Sequence, residues 1–188
     1  TWASAYAGLI NDFILVRYNA PNASQMYPLA NNVDATIAGA EAGVGYQFNE
    51  HLQADLSAMY AWGENTTDNK PLPQIAPLEG RLNLRYVQEK YSLGLLWRAV
   101  AEQNRISLND GNIVGYDMGK SKAFSTLAMN ATYKYSEALD FSVGIDNLLD
   151  KAYSEHLNKS GAALFGYAAN EQFNNIGRNY WARVSMKF

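Results

Sequence analysis

Leu52-Gln53-Ala54-Asp55-Leu56-Ser57-Ala58-Met59-Tyr60-Ala61-Trp62 is the stretch whose period fixes the fold class. Leu52, Ala54, Leu56, Ala58, Tyr60 and Trp62 alternate with Gln53, Asp55, Ser57, Met59 and Ala61. A strand points successive side chains to opposite faces, so this pattern gives one apolar face and one polar face. An amphipathic helix would instead repeat its apolar positions about every 3.6 residues.

The same period runs outward in both directions. Leu82, Leu84 and Tyr86 alternate with Arg81, Asn83 and Arg85. Tyr91, Leu93, Leu95, Trp97 and Ala99 alternate with Ser92, Gly94, Leu96, Arg98 and Val100. Leu139, Phe141, Val143 and Ile145 repeat it, as do Tyr180, Ala182, Val184, Met186 and Phe188. Eight strands are expected, at 2–18, 34–48, 51–64, 78–88, 91–105, 123–135, 139–148 and 176–188. Asn11-Asp12 marks a bulge in the first of them. At most one short helical turn is expected, over 152–158.

The connections alternate as well. Asn49-Glu50, Glu89-Lys90 and Ser136-Glu137-Ala138 are tight hairpin turns. Long polar connections lie at 19–33, 65–77, 106–122 and 149–175. All short turns therefore fall at one end of the sheet and all long loops at the other. Transmembrane β-barrels of the outer membrane have this asymmetry, with short periplasmic turns and long extracellular loops.

A soluble sandwich would also alternate. Its strands, however, run to about 5–6 residues, far short of several here. Aromatics on the apolar face sit near segment ends (Tyr60, Trp62, Tyr86, Tyr91, Tyr133, Tyr135), as interfacial girdles do. Asp55, Glu79, Arg81, Arg85, Arg98, Glu102, Arg183 and Lys187 load the other face with charge. Buried charges need partners, so such a face suits a wet lumen better than a packed core. The fold class expected is all-β: an antiparallel transmembrane β-barrel segment of about eight strands.

Composition agrees. Of 188 residues, 18% are charged and 13% aromatic, there is no Cys, and net charge is −3. Mean hydropathy is only −0.28, as expected when half of every strand is polar. Without Cys there is no disulfide framework, thiolate site or Cys nucleophile. The mild acidity argues against a nucleic-acid partner, which requires a basic patch. No apolar run approaches the ~18 residues of a membrane-spanning helix. Thr1-Trp2-Ala3 opens in mid-pattern without a basic leader, so the chain reads as either a cytosolic protein or a mature piece of something exported. Only His51 and His156 are present, and no Gly-x-Ser-x-Gly occurs, so no enzyme active site is expected.

Four segments resemble TonB-dependent outer-membrane receptors. Asn31-Asn32-Val33-Asp34-Ala35-Thr36-Ile37-Ala38-Gly39-Ala40-Glu41 is similar to the family strand N-x-x-x-A-x-x-x-G-x-E. Pro71-Leu72-Pro73-Gln74-Ile75-Ala76-Pro77 resembles its P-L-x-x-I-P-P loop, with Ala76 for the first closing Pro. Asn147-Leu148-Leu149-Asp150-Lys151-Ala152-Tyr153 resembles N-L-F-D-K-x-Y, with Leu149 for Phe. Gly177-Arg178-Asn179-Tyr180-Trp181 opens the last strand as the family's G-R does. Within the family, Tyr153-Ser154-Glu155-His156-Leu157-Asn158 resembles the tail of the copper receptors.

The resemblance implies a 22-stranded barrel around an N-terminal plug, energised through TonB, in the bacterial outer membrane. About 23 residues per strand (188 over eight) would require about 500 residues for 22 strands, so residues 1–188 are expected to be the C-terminal portion, with plug and earlier strands absent. The implied function is uptake of a metal or metal chelate, with copper the best fit. A siderophore receptor, a passive porin and a self-contained eight-stranded barrel are the alternatives. Expected partners are outer-membrane lipid, the TonB complex, the barrel-assembly machinery and the remainder of the barrel. Tyr180, Val184, Met186 and Phe188 resemble the C-terminal assembly signal that this machinery reads.

No resident cofactor is expected. Weak metal candidates are His156, Met26 and Met118, since imidazole and thioether suit copper. The simpler role for His156 is loop packing. Met59, Met129 and Met186 read as wall residues, and His51 as a residue of the short-turn end. Asp55, Glu79, Arg81, Arg85, Arg98, Glu102 and Arg183 either attract substrate or hold the plug, the second being the simpler role. Asp110-Gly111-Asn112 and Asp68-Asn69 lack the acidic spacing of a calcium loop and fit turn chemistry.

Overall fold

The computed structural model describes residues 1–18, 28–159, 166, 168 and 171–187. Eight long strands carry the sheet: β1 (Trp2–Arg17), β2 (Leu29–Gln47), β3 (Leu52–Asn65), β5 (Glu79–Val87), β6 (Tyr91–Val100), β8 (Phe124–Lys134), β9 (Leu139–Asp146) and β10 (Asn179–Met186). Two-residue strands β4 (Lys70–Pro71) and β7 (Asp110–Gly111) lie inside long connections. The long strands pair antiparallel with their sequence neighbours, in the order β10-β9-β8-β6-β5-β3-β2-β1. Among the described residues there is no helix, and 156–157 form only a turn.

Register turns the alternation of each strand into rows across the sheet. Tyr46, Ala54, Leu84, Leu95, Met129, Ile145 and Tyr180 are successive partners from β2 to β10 and form one apolar row. On the opposite face Gly43, Ser57, Arg81, Arg98 and Thr126 form a polar row. Many large apolar side chains on the first face are about half exposed, including Leu56, Leu93, Trp97 and Val143. Such a face suits a surrounding of hydrocarbon, as on the outside of a membrane barrel. Tyr46, Phe48, Tyr86, Tyr91, Tyr133, Tyr135 and Phe141 gather at the short-turn end of that face, several in ring contact.

The expected strands appear with shifted ends. β2 starts at Leu29 rather than 34, because β1 is long enough to pair down to Arg17↔Leu29. β6 ends at Val100, beyond which only an isolated Gln103–Ser121 bridge continues toward 105. β10 begins at Asn179 rather than 176.

Asn11-Asp12 is a bulge: the β1–β2 register shifts between Ile10 and Phe13, and Asp12 has φ 58°. The shift turns Phe13 and Leu15 toward the polar face and leaves Ile14 exposed. Leu15 is thereby fully covered, beside buried Val33 and Ala35. With Leu72, Val100 and Phe124 these residues make a small core at the long-loop end, where the loops fold against the sheet.

Candidate functional site

On the polar face the register sets Arg81 directly opposite Arg98, a like-charge pair that destabilises by itself. Glu79, only 7% exposed, resolves it. One carboxylate oxygen accepts from Arg81 Nε at 2.5 Å and the other from Arg98 Nη2 at 2.6 Å. The Arg98 guanidinium also grips Glu155 through Nη1 at 2.6 Å and Nη2 at 3.1 Å. Its Cζ lies 5.4 Å from the centroid of Phe124, and that ring stacks on Tyr153 at 4.3 Å. Tyr153 and Glu155 belong to the last long loop. Arg98 thus ties that loop to the sheet by a fork-shaped ion pair and a ring stack.

A second node joins three loops. Asp117, 1% exposed, accepts from the Gln74 backbone N–H at 2.9 Å and from Gln74 Nε2 at 3.1 Å, both at Oδ1. Its Oδ2 accepts from the Ser107 N–H at 2.9 Å. His156 Nε2, otherwise unpartnered, lies 3.3 Å from Oδ1. Burial pushes the Asp117 carboxyl up, but the His156 ring and the Gln74 and Ser107 donors outweigh it and hold the group below the usual carboxylate range. Connections 66–78, 101–123 and 147–178 meet at this one side chain.

The motif residues of the last loop lock the loop to itself. Asn147, at φ 47°, donates from Nδ2 to the Lys151 carbonyl and accepts the Lys151 N–H, both at 2.9 Å. Asp150 Oδ1 accepts the Arg178 N–H at 2.8 Å. A side chain at Gly177 would meet that same oxygen at 2.9 Å, so the N-L-L-D-K and G-R segments are two halves of one contact. Asn158 Nδ2 donates to the Phe173 carbonyl at 2.7 Å, and Gln172 Nε2 to the His156 and Asn158 carbonyls.

Across the long-loop end, connection 101–123 reaches the outer edge of β1. Val16 and Arg17 pair with Gly111 and Asp110 of β7, and Tyr18 stacks on Tyr116 at 4.6 Å. Arg17 pairs with Asp68, whose carboxylate also accepts from Asn65 Nδ2. Arg105 donates to Glu64 at 2.6 Å and lies over the Trp62 ring. Asn112 Oδ1 accepts from the Val114 and Gly115 N–H groups, which is turn chemistry.

The structure brings Glu79, Arg81 and Arg98 together but not every anticipated member. Asp55, Arg85 and Arg183 share their face at other registers: Asp55 accepts from Gln53, and Arg183 lies opposite Ser142. Glu102 lies beyond the end of β6, exposed and bonded to Asn104, and stands apart from the arginine cluster. His51 Nδ1 lies 3.0 Å from the Val87 carbonyl at the short-turn end. Met59 is on the polar face opposite Glu41 and Glu79, and Met129 and Met186 are on the apolar face. Tyr180, Val184 and Met186 line the apolar face of β10, exposed. Met118 follows Asp117 and is half-buried. Met26 and Phe188 lie outside the described residues. No group of three or more His, Asp or Glu able to hold a metal occurs among the described residues.

The sequence reading missed Glu155 as the partner of Arg98, and Asp117 altogether. For Glu155 the signal was its place in the tail motif. For Asp117 there was none, because its partners lie 43 and 10 residues away, Gln74 on another connection and Ser107 elsewhere in its own.

Residues 1–148 match the family model for the TonB dependent receptor-like β-barrel. The solved copper transporter OprC is 45% identical over 100% of this chain, with a TM-score of 0.95. The ferric enterobactin receptor PfeA of Pseudomonas aeruginosa matches 99% of the chain at 17% identity and a TM-score of 0.70. The FrpB iron transporter of Neisseria meningitidis matches 99% at 18% and 0.69. These last two likenesses establish the fold alone. The chain spans 28%, 29% and 28% of these three proteins respectively. No curated protein sequence matches it.

Proposed function

The chain belongs to the TonB-dependent receptor β-barrel family, and on that premise we propose that it serves energised uptake of copper, as ion or chelate, across the bacterial outer membrane. The observation that carries this is the 45% identity to a copper transporter along the whole chain, against 14–20% to the ferric receptors. The family is one of outer-membrane transport receptors, and an apolar row facing hydrocarbon is what that location requires.

In this proposal residues 1–188 are the C-terminal portion of a 22-stranded barrel. Its polar face lines the lumen, and the contact with TonB is made through a plug. The barrel-assembly machinery reads the last strand through Tyr180, Val184, Met186 and Phe188. The Glu79–Arg81–Arg98–Glu155 cluster holds the last loop over the lumen wall, so that its position is fixed while cargo passes. Copper is cargo here. Its principal ligands are expected outside this segment.

The test is copper accumulation by cells whose only copper receptor is the full-length protein. Uptake that is saturable, and abolished by deleting TonB, is expected. Uptake indifferent to TonB would support a passive pore instead, and TonB-dependent uptake of a ferric chelate without copper would support a siderophore receptor.

A further inference from the structure

Three of the chain's eight lysines line one cleft. Lys120 and Lys122 form one wall and Lys151 another, around a space of about 290 Å³. Ser121, Ser154, Gln172 and Asn174 add polar side chains to the lining, Gln172 with its Nε2 already given to the His156 and Asn158 carbonyls, and among the described residues no carboxylate contributes to it. Glu155, the nearest acid along the chain to Ser154, is occupied by both Nη atoms of Arg98. Among the described residues none of the three lysines forms an ion pair. This concentration of positive charge sits in a chain of net charge −3.

The cleft is built on fixed backbone. Ser121 exchanges backbone hydrogen bonds with Gln103 at 3.1 and 3.2 Å, which pins the lysine pair on either side of it. The Lys151 N–H is held by Asn147 Oδ1. Between the walls stands the Phe124–Tyr153 stack. Asn174 Oδ1 accepts from the Ser154 hydroxyl, and its NH₂ group remains as a donor. The lining therefore gathers three lysines and an amide donor beside neutral hydroxyls and Gln172, a set that repels a bare metal cation and matches clustered anionic oxygens.

We infer that this cleft binds a soluble multivalent oxyanion, phosphate- or carboxylate-bearing, at the junction of connections 101–123 and 147–178. Phe124 is opposite Val100 on the polar face, so the cleft opens on the water side of the wall rather than toward lipid headgroups. The inference is independent of the copper reading, because the probe below carries no copper.

The experiment is calorimetric titration of the detergent-purified full-length receptor with inorganic pyrophosphate at low ionic strength. Saturable binding is expected, weakened about tenfold or more in K120Q/K122Q/K151Q and by added salt, as a multiply charge-assisted contact requires. The charge-preserving K120R/K122R/K151R variant should bind within a few-fold of wild type. Heat-modifiable mobility on gels reports that each variant is assembled. Absence of binding, or equal binding by the glutamine variant, overturns the site. A second arm repeats the titration in nanodiscs with and without anionic phospholipid. If anionic lipid displaces pyrophosphate from the wild type, the cleft is a headgroup site and the soluble-ligand assignment falls.

Discussion

Asp117 shows how one buried carboxylate organises distant segments. Its folded pKa lies below the unfolded value of about 3.9, so its stabilising contribution is complete above about pH 4 and is lost as pH falls through the folded value. Hydrogen exchange of connections 66–78 and 101–123, corrected for its intrinsic pH dependence, should therefore accelerate as pH falls below about 4. In Asp117→Asn it should be faster by about 1–3 kcal/mol of local opening energy and should lose that acid dependence. An unchanged acid profile would show that another group governs the loops. Arg98 is the matching case on the sheet. Arg98→Met leaves Glu79 with Arg81 alone and Glu155 with no cation, at a cost of about 3 kcal/mol. Protease cleavage of the full-length receptor within 150–158 should rise accordingly. Arg98 was legible as a polar-face residue from its place between Trp97 and Ala99. Its hold on Glu155 was not, since the two are 57 residues apart.

At the level of the strand, facing is the quantity that matters, and neighbouring leucines separate it cleanly. Leu95 pairs with Leu84 and Met129 on the apolar face, whereas Leu96 pairs with Asn83 and Ala128 on the polar one. Leu95→Arg in the full-length receptor should impair assembly by about 2–4 kcal/mol if it lies near the bilayer midplane, and Leu96→Arg should be much milder. Equal yields of heat-modifiable barrel from both would reverse the assigned faces. Gly144 is a second element-level constraint: a Cβ there would lie 2.3 Å from the Trp181 ring on the facing strand. Gly144→Val should displace that ring and loosen the β9–β10 pairing, seen as a change in Trp fluorescence with lower thermal stability. Alternation exposed the strands because a half-solvated sheet imposes a period of two on every residue it contains. It did not expose β4 or β7: two-residue pairings carry no period, and their partners are chosen by where the loops meet.

For the whole molecule, the edges carry the argument. β1 and β10 are the outermost long strands, only the two-residue β7 pairs beyond β1, and β1 and β10 do not pair with each other, so among the described residues the eight long strands do not close. Unpaired backbone groups are not tolerated in hydrocarbon. Residues 1–188 expressed alone into detergent should therefore fail to give a monomeric, heat-modifiable barrel, while the full-length receptor should give one. A monomeric closed species from 1–188 would revive the self-contained barrel.

Residue order was enough for what is local and repetitive: the two faces, the eight strands, the Asn11-Asp12 bulge and the alternation of short turns with long loops. Each of these is written in the spacing of neighbouring residues, because strand geometry links position to face within a few ångströms of chain. Tertiary structure alone decided which loops interlock, which arginine takes Glu79 and Glu155, and that Lys120, Lys122 and Lys151 share a cleft. Those outcomes depend on side chains tens of residues apart being carried to one end of the sheet, and local pattern, which sets faces and hairpin turns, does not say which loop side chains meet there.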